Sequence, residues 1–175
     1  DRLHASIRWN SNIADAFNNT FTFESTYQDY ADRFAKLFAQ KGLTKVSILN
    51  QESNGWNLAL DVFSKRAKEA GLSVVSSQSY LPSEVDFKSF ALKALKDKPD
   101  VVLINDIGEK IELITKQLRA INPKQRVTGY LSYPIDLTPF EREYFVDQLT
   151  TDPKFAQRYQ KEYGEPIYMR AQLAY

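Results

Sequence analysis

Two carboxylates in this chain stand where they could move a proton. Glu52 follows the apolar run Lys45-Val46-Ser47-Ile48-Leu49-Asn50, and Asp106 follows Val101-Val102-Leu103-Ile104. A positioned carboxylate pair can do acid and base work without histidine. Each also has a structural reading, as the cap of the helix that comes next, and Asp106 just before Gly108-Glu109 is well placed for it. The richest polar stretch is Gln51-Glu52-Ser53-Asn54-Gly55-Trp56. It combines side-chain donors and acceptors with backbone N–H groups at a helix start, a combination that holds a polar or anionic small molecule or simply makes a turn and a cap. Tyr130, Leu131 and Tyr133, after a fourth apolar run, supply aromatic surface suited to the apolar body of a ligand.

Other chemistries are excluded by what the 175 residues omit. With no Cys, thiol catalysis, redox motifs and Cys-based zinc sites are ruled out. His4 is the sole imidazole and lies in an aperiodic stretch, so neither a Ser-His-Asp triad nor a paired-histidine metal site can be assembled around the apolar runs. No Gly-x-Gly-x-x-Gly or Gly-x-x-x-x-Gly-Lys-Ser/Thr follows any run, and the whole chain has six glycines, so the usual phosphate cradles are missing. Lys+Arg 23 against Asp+Glu 22 gives a net charge of +1 without a basic run, which provides no electrostatic ground for nucleic acid or a membrane surface as partner. No stretch approaches the ~18 apolar residues of a membrane span, so no membrane insertion is expected. Asn18-Asn19-Thr20 matches a glycosylation sequon, a match that is common by chance.

The elements that would carry these residues alternate. Tyr27, Tyr30, Phe34, Leu37 and Phe38 recur at helical spacing behind Ser25-Thr26, predicting a helix over residues 26–41 that Gly42 ends. Strands are expected at 45–49, 72–76, 101–105 and 126–130. Between them, Trp56, Ala59, Leu60, Phe63 and Ala67 stripe one helix, and Phe87, Phe90, Ala91, Ala94 and Leu95, capped by Asp86, a second. Ile111, Ile114, Leu118 and Ile121 stripe a third. Repeated β-α units with two-sided apolar strands predict an α/β fold, a doubly wound and mostly parallel sheet flanked by helices. Residues 131–142 read as a loop, Tyr144-Phe145-Val146 as a short fifth strand, and a last helix opens at Asp152-Pro153, buries Phe155, Tyr159 and Tyr163, and closes at Gly164. The first twenty residues carry Trp9 and Phe17 without a period and are expected to lean on something outside the regular core.

Several pieces together resemble a family. Lys45-Val46-Ser47-Ile48-Leu49 followed by Ser53-Asn54-Gly55, Asp86-Phe87 after Pro82-Ser83, the entry Lys98-Pro99-Asp100-Val101-Val102, and the closing Phe155-x-x-x-Tyr159-x-x-x-Tyr163-Gly164-x-Pro166 resemble, in order and spacing, the branched-chain amino acid type periplasmic binding proteins. These have the type I solute-binding fold of ABC importers, and the resemblance covers about residues 20–175. Such proteins are bilobal, and the resemblance implies that this sequence is the second lobe, with residues 1–20 an interlobe or hinge segment and 21–175 the α/β ligand-binding lobe. It implies a first lobe missing from the sequence, a small-molecule ligand, an ABC importer membrane permease as partner, no cofactor and no catalysis. It also implies a periplasmic or otherwise extracytoplasmic location; since the sequence opens at Asp1 without a basic and apolar leader, any export signal is expected to have been removed or to lie outside this sequence. A ligand-sensing domain of a signalling or regulatory receptor with the same fold is the alternative.

The family's ligand contacts in this lobe fall on three turns, which here are Ser53, Asn54 and Gly55, then Asp106, Ile107 and Gly108, then Tyr130 and Leu131. In members that bind aliphatic amino acids the first turn often brings an aromatic ring and the last a carboxylate for the ligand's ammonium. Asn54 and Leu131 depart from both. Either Asp106 takes over the ammonium or the ligand is not an α-amino acid, because an ammonium buried without an acceptor costs several kcal/mol.

Overall fold

Val46, Ile48 and Leu49 of one apolar run and Val101 through Ile104 of another have no exposed surface, as strands covered on both faces require. The computed structural model describes residues 4–6, 20–22, 26–131, 146–147 and 153–164. The chain divides into two units, one of Tyr27–Val146 and one of Asp1–Thr26 with Asp147–Tyr175.

Two short strands were not foreseen: β1 (His4–Ser6) and β2 (Thr20–Thr22), which pair in parallel with His4 opposite Thr20. Three residues are too few to establish a period of two, so the sequence carried no signal for them. Trp9 and Phe17 lie outside the described residues.

The larger unit runs α1 (Tyr27–Gln40), β3 (Lys45–Gln51), α2 (Asn54–Glu69), β4 (Ser73–Tyr80), α3 (Lys88–Leu95), β5 (Val101–Asn105), α4 (Glu109–Ile121) and β6 (Arg126–Leu131). With β7 (Val146–Asp147) the sheet order is β4-β3-β5-β6-β7, and the β4-β3, β3-β5 and β5-β6 pairings are all parallel. The parallel sheet is thus as expected. Strand order reverses between β3 and β5: the connection through α2 leads to one side, those through α3 and α4 to the other. With right-handed crossovers, α2 covers one face and α3 and α4 the other.

Packing agrees with that assignment. Leu49, Val102, Ile104 and Val127 join Phe87, Ala91 and Ala94 around α3 and Ile111, Ile114 and Leu118 of α4 in one buried cluster. α1 packs on α2, with Phe38 edge-on to Phe63 at 6.1 Å between ring centres. Alternation then assigns the strand ends: Leu49, Gln51, Ile104 and Asp106 share the α3/α4 face, and Ile48, Asn50, Leu103 and Asn105 the α2 face.

Several local expectations are corrected. β4 begins one residue after Leu72 and continues to Tyr80, because Ser76-Ser77-Gln78-Ser79 pairs with β3 as part of an edge strand, with Ser77 and Ser79 exposed and Ser76 and Gln78 half-buried. α3 is capped at Phe87, and the Asp86 carboxylate accepts the Lys88 N–H (3.1 Å) as a local turn. The buried row of α4 is Ile111, Ile114, Thr115 and Leu118, while Ile121, the helix's last residue, is 38% exposed. α5 (Pro153–Tyr163) follows, with Phe155 buried and Gly164 in the left-handed region donating to the Gln160 carbonyl. Tyr163, expected to be buried, is exposed, its ring 4.7 Å from that of Tyr159. The expected loop and the residues before Val146 lie outside the described residues.

At the sheet's amino edge, Asp100 ties two strands together. Its Oδ2 accepts the Thr44 and Lys45 N–H groups, each at 2.8 Å, and the Thr44 hydroxyl at 3.3 Å. These bonds, the Lys45 N–H first, hold its carboxyl below the usual carboxylate range. A depressed folded pKa contributes stability that is present above the unfolded value of about 4 and lost as pH falls through the lower folded one. Asp100→Ala is therefore expected to cost about 1–2 kcal/mol at neutral pH. Urea unfolding of the two proteins at pH 7 and below pH 3 checks this; a gap that does not narrow in acid rejects it.

Candidate functional site

In an open α/β sheet the crevice lies outside the carboxyl ends of the strands, where strand order reverses. Here that place is between the ends of β3 and β5, and both strands turn polar there: Ile48-Leu49-Asn50-Gln51 in one, Leu103-Ile104-Asn105-Asp106 in the other. Because side chains alternate, the four polar residues form two clusters on opposite faces.

On the α3/α4 face the centre is Asp106, 1% exposed. Its Oδ2 accepts the Tyr80 hydroxyl at 2.8 Å, and its Oδ1 accepts the Gln51 side-chain N–H at 3.0 Å and the Ile107 N–H at 2.7 Å. One carboxylate thus reaches from the end of β5 past β3 to the end of β4. Burial raises the Asp106 pKa, and the bonds from Ile107, Tyr80 and Gln51 oppose the rise. Burial first, and then the Asp106 charge, pushes the Tyr80 phenol far above its ordinary value.

On the α2 face, the Asn105 amide donates to Asn50 Oδ1 (3.0 Å), and the Asn50 amide donates to Asn57 Oδ1 (2.9 Å) and the Gln51 carbonyl (3.1 Å). Asn50 and Asn105 are fully buried, while Asn57 is exposed in the first turn of α2. Sequence reasoning missed Asn50, Asn57, Tyr80 and Asn105, and it singled out Gln51 only as part of the polar stretch that opens α2. The available signal was a polar pair ending an otherwise apolar strand, where only a bonded partner or a ligand makes burial tolerable.

The three expected turns differ in what they present. Ser53, not Glu52 or Asn54, caps α2: its backbone is extended and its hydroxyl oxygen accepts the Trp56 N–H at 3.2 Å. Glu52 is exposed, with its N–H bonded to the Tyr80 carbonyl. Asn54, exposed, and Gly55 are the first two residues of the helix. Gly55 has a packing reason: a Cβ there would meet the Tyr27 hydroxyl at 2.5 Å. Tyr27 is 7% exposed, lies edge-on to Trp56 with 6.2 Å between ring centres, and burial pushes its phenol up to about 12.

Asp106 does not cap α4 either. The cap residue is Gly108, at φ 60° and ψ −137°, with no side-chain bond to the helix. That conformation is accessible essentially to glycine alone, which explains the residue type. The Asp106 carboxylate reaches only as far as the Ile107 N–H, because its remaining capacity is directed to Gln51 and Tyr80. Ile107 and Gly108 are half-exposed. Tyr130 and Leu131 are the last residues of β6 rather than a turn, and Tyr133 lies outside the described residues. Among the described residues no group of three His, Cys, Asp or Glu side chains could hold a metal ion, and no helix is long and apolar enough to cross a membrane.

A sequence model of the family described as periplasmic binding protein matches residues 6–175. No curated protein matches. Among solved structures, an amino acid ABC transporter substrate-binding protein from Pseudomonas fluorescens Pf-5 is similar with TM-score 0.77 and 14% identity, over 94% of this chain and 49% of its own. A leucine-, isoleucine-, valine-, threonine- and alanine-binding protein from Brucella ovis, in its closed conformation, gives TM-score 0.69 and 17% identity over 85% and 42%. A solute-binding protein of an ABC transporter from R. palustris, solved with benzoate, gives 0.63 and 16% over 85% and 44%. At these identities the likeness carries the fold, and the chain spans less than half the length of each of the three.

Proposed function

Because the chain belongs to the periplasmic binding protein family, we propose that it forms a solute-binding lobe of an extracytoplasmic receptor that captures a small organic molecule for the membrane permease of an ABC importer. No bond of the solute is made or broken in this reading. The solute, an amino acid or a carboxylate, is enclosed when this lobe closes against a first lobe held in the rest of the receptor. The observation that carries the reading is the pair of polar clusters at the strand-order reversal, where Asn50, Gln51, Asn105 and Asp106 end otherwise apolar strands.

Within that site, the contacts we propose are Ser53, Asn54 and Gly55 at the start of α2, Ile107 and Gly108 before α4, and Tyr130 and Leu131 at the end of β6. Asp106 belongs behind them. Buried, with both oxygens already bonded, it is a support rather than a free acceptor. This favours a solute whose polar end needs donors, such as a carboxylate, over one that needs a carboxylate for its ammonium.

Calorimetric titration of the full protein with α-amino acids and with aliphatic and aromatic carboxylates tests the reading. Saturable one-to-one binding is expected from the carboxylate group. A protein that binds nothing in either group overturns the assignment, and one that binds amino acids alone, with affinity lost in Asp106→Asn, returns Asp106 to the contact set.

A further inference from the structure

The Gln51 carbonyl is a backbone group that only accepts, so the Asn50 amide nitrogen must face it. Asn50 Oδ1 then faces Asn105, whose own amide nitrogen must answer it. The orientation of Asn105 is therefore fixed, and what remains is an acceptor: its Oδ1 is buried and has no hydrogen-bond partner among the described residues. Both carboxylate oxygens of Asp106 and the amide oxygens of Asn50 and Asn57 are bonded. An unmet acceptor at this depth carries a penalty that folded proteins rarely leave standing. It lies on the α2 face at the end of β5, beside the point where strand order reverses.

We propose that Asn105 Oδ1 is the built acceptor for an O–H group at the carboxyl edge of the sheet. The group comes from a hydroxyl of the bound solute or from one ordered water beneath it. A neutral donor fits better than an ammonium, because a single amide oxygen does not compensate a desolvated charge and the buried Asp106 carboxylate, on the other face of the sheet, is already occupied. The solute arm rests on the solute-binding reading above; the acceptor itself does not.

Two experiments on the full protein separate these. The first is a crystal structure, sharp enough to show waters, of the protein alone and soaked with 4-hydroxybenzoate. An oxygen atom about 2.6–3.1 Å from Asn105 Oδ1 is expected in at least one crystal, and its absence from both overturns the proposal. The second is titration with benzoate and with its 3- and 4-hydroxy derivatives, against the wild-type protein and Asn105→Leu. If the solute is the donor, one hydroxy derivative binds about tenfold tighter than benzoate, the value of one net hydrogen bond, and the leucine variant abolishes that ratio. If the oxygen is present in both crystals and the ratio is the same in both proteins, the donor is water. If none of the probes binds, the solute-binding reading loses these ligands, while the crystal of the free protein still decides whether Asn105 has an O–H partner. That crystal needs no variant, so a leucine protein that fails to fold leaves the proposal testable.

Discussion

Asp106→Ala is expected to destabilise the protein by about 3 kcal/mol or more. The substitution strips the partner from the Tyr80 hydroxyl, the Gln51 side-chain N–H and the Ile107 N–H in one step. Each donor left unmet in a buried setting costs about 1–3 kcal/mol, and partial relaxation of Gln51 and Ile107, which are half-exposed, returns some of it. Asp106→Asn should be milder. Its Oδ1 can still accept from Gln51 and Ile107, and its amide can donate to the Tyr80 oxygen, leaving only the phenolic hydrogen displaced.

The pH dependence has the opposite sign to that of Asp100. Burial raises the Asp106 pKa, so between the unfolded value near 4 and the raised folded one the native state holds more protons than the unfolded chain, and this group's contribution to stability declines as pH rises through that window. Asp106→Asn removes the decline. Urea unfolding of the wild type and the asparagine variant from pH 3 to 7 should show the variant gaining relative to the wild type as pH rises. A constant difference across that range means that the carboxyl is not desolvated, and an alanine variant within about 0.5 kcal/mol of wild type means that the three bonds are not made.

The contrast between these carboxylates explains how much was readable in the sequence. The sheet was legible because its signal is local and redundant: Val46, Ile48, Leu49 and Val101 through Ile104 are apolar on both faces, and helical stripes such as Ile111, Ile114 and Leu118 lie between the strands. The position of the site was legible too, since a parallel sheet offers a crevice only at its carboxyl edge. The partners were not. Whether Asp106 caps α4 depends on how Gly108 turns, and whether it meets Tyr80 depends on β4 continuing to residue 80 through four polar residues that broke the apolar pattern. Asn50 and Asn105 are 55 positions apart, and only the register that sets them side by side makes either one significant.

Gly55→Ala gives the second large effect, expected at about 2–3 kcal/mol of lost stability, and its cause can be isolated. An α-helical glycine replaced by alanine normally gains, since alanine is the better helix former by nearly 1 kcal/mol. Here the new Cβ would stand 2.5 Å from the Tyr27 hydroxyl oxygen but 3.6 Å from the ring carbon that bears it. The clash is therefore with one atom. Tyr27 has little room to yield, being 7% exposed and packed against Trp56, so the strain falls in the overpacking range. Tyr27→Phe removes that atom and keeps the ring. In the double variant the alanine should cost almost nothing, or stabilise, so the two substitutions should be non-additive by about 2 kcal/mol in the favourable direction. Additive losses in urea unfolding would show that Gly55 is required for a reason other than Tyr27. The same cycle bears on the site, because Gly55 was expected there as a ligand contact: if alanine in the Tyr27→Phe background folds normally yet weakens solute binding, the glycine serves both the packing of α1 on α2 and the approach of the solute, whereas unchanged binding confines it to packing.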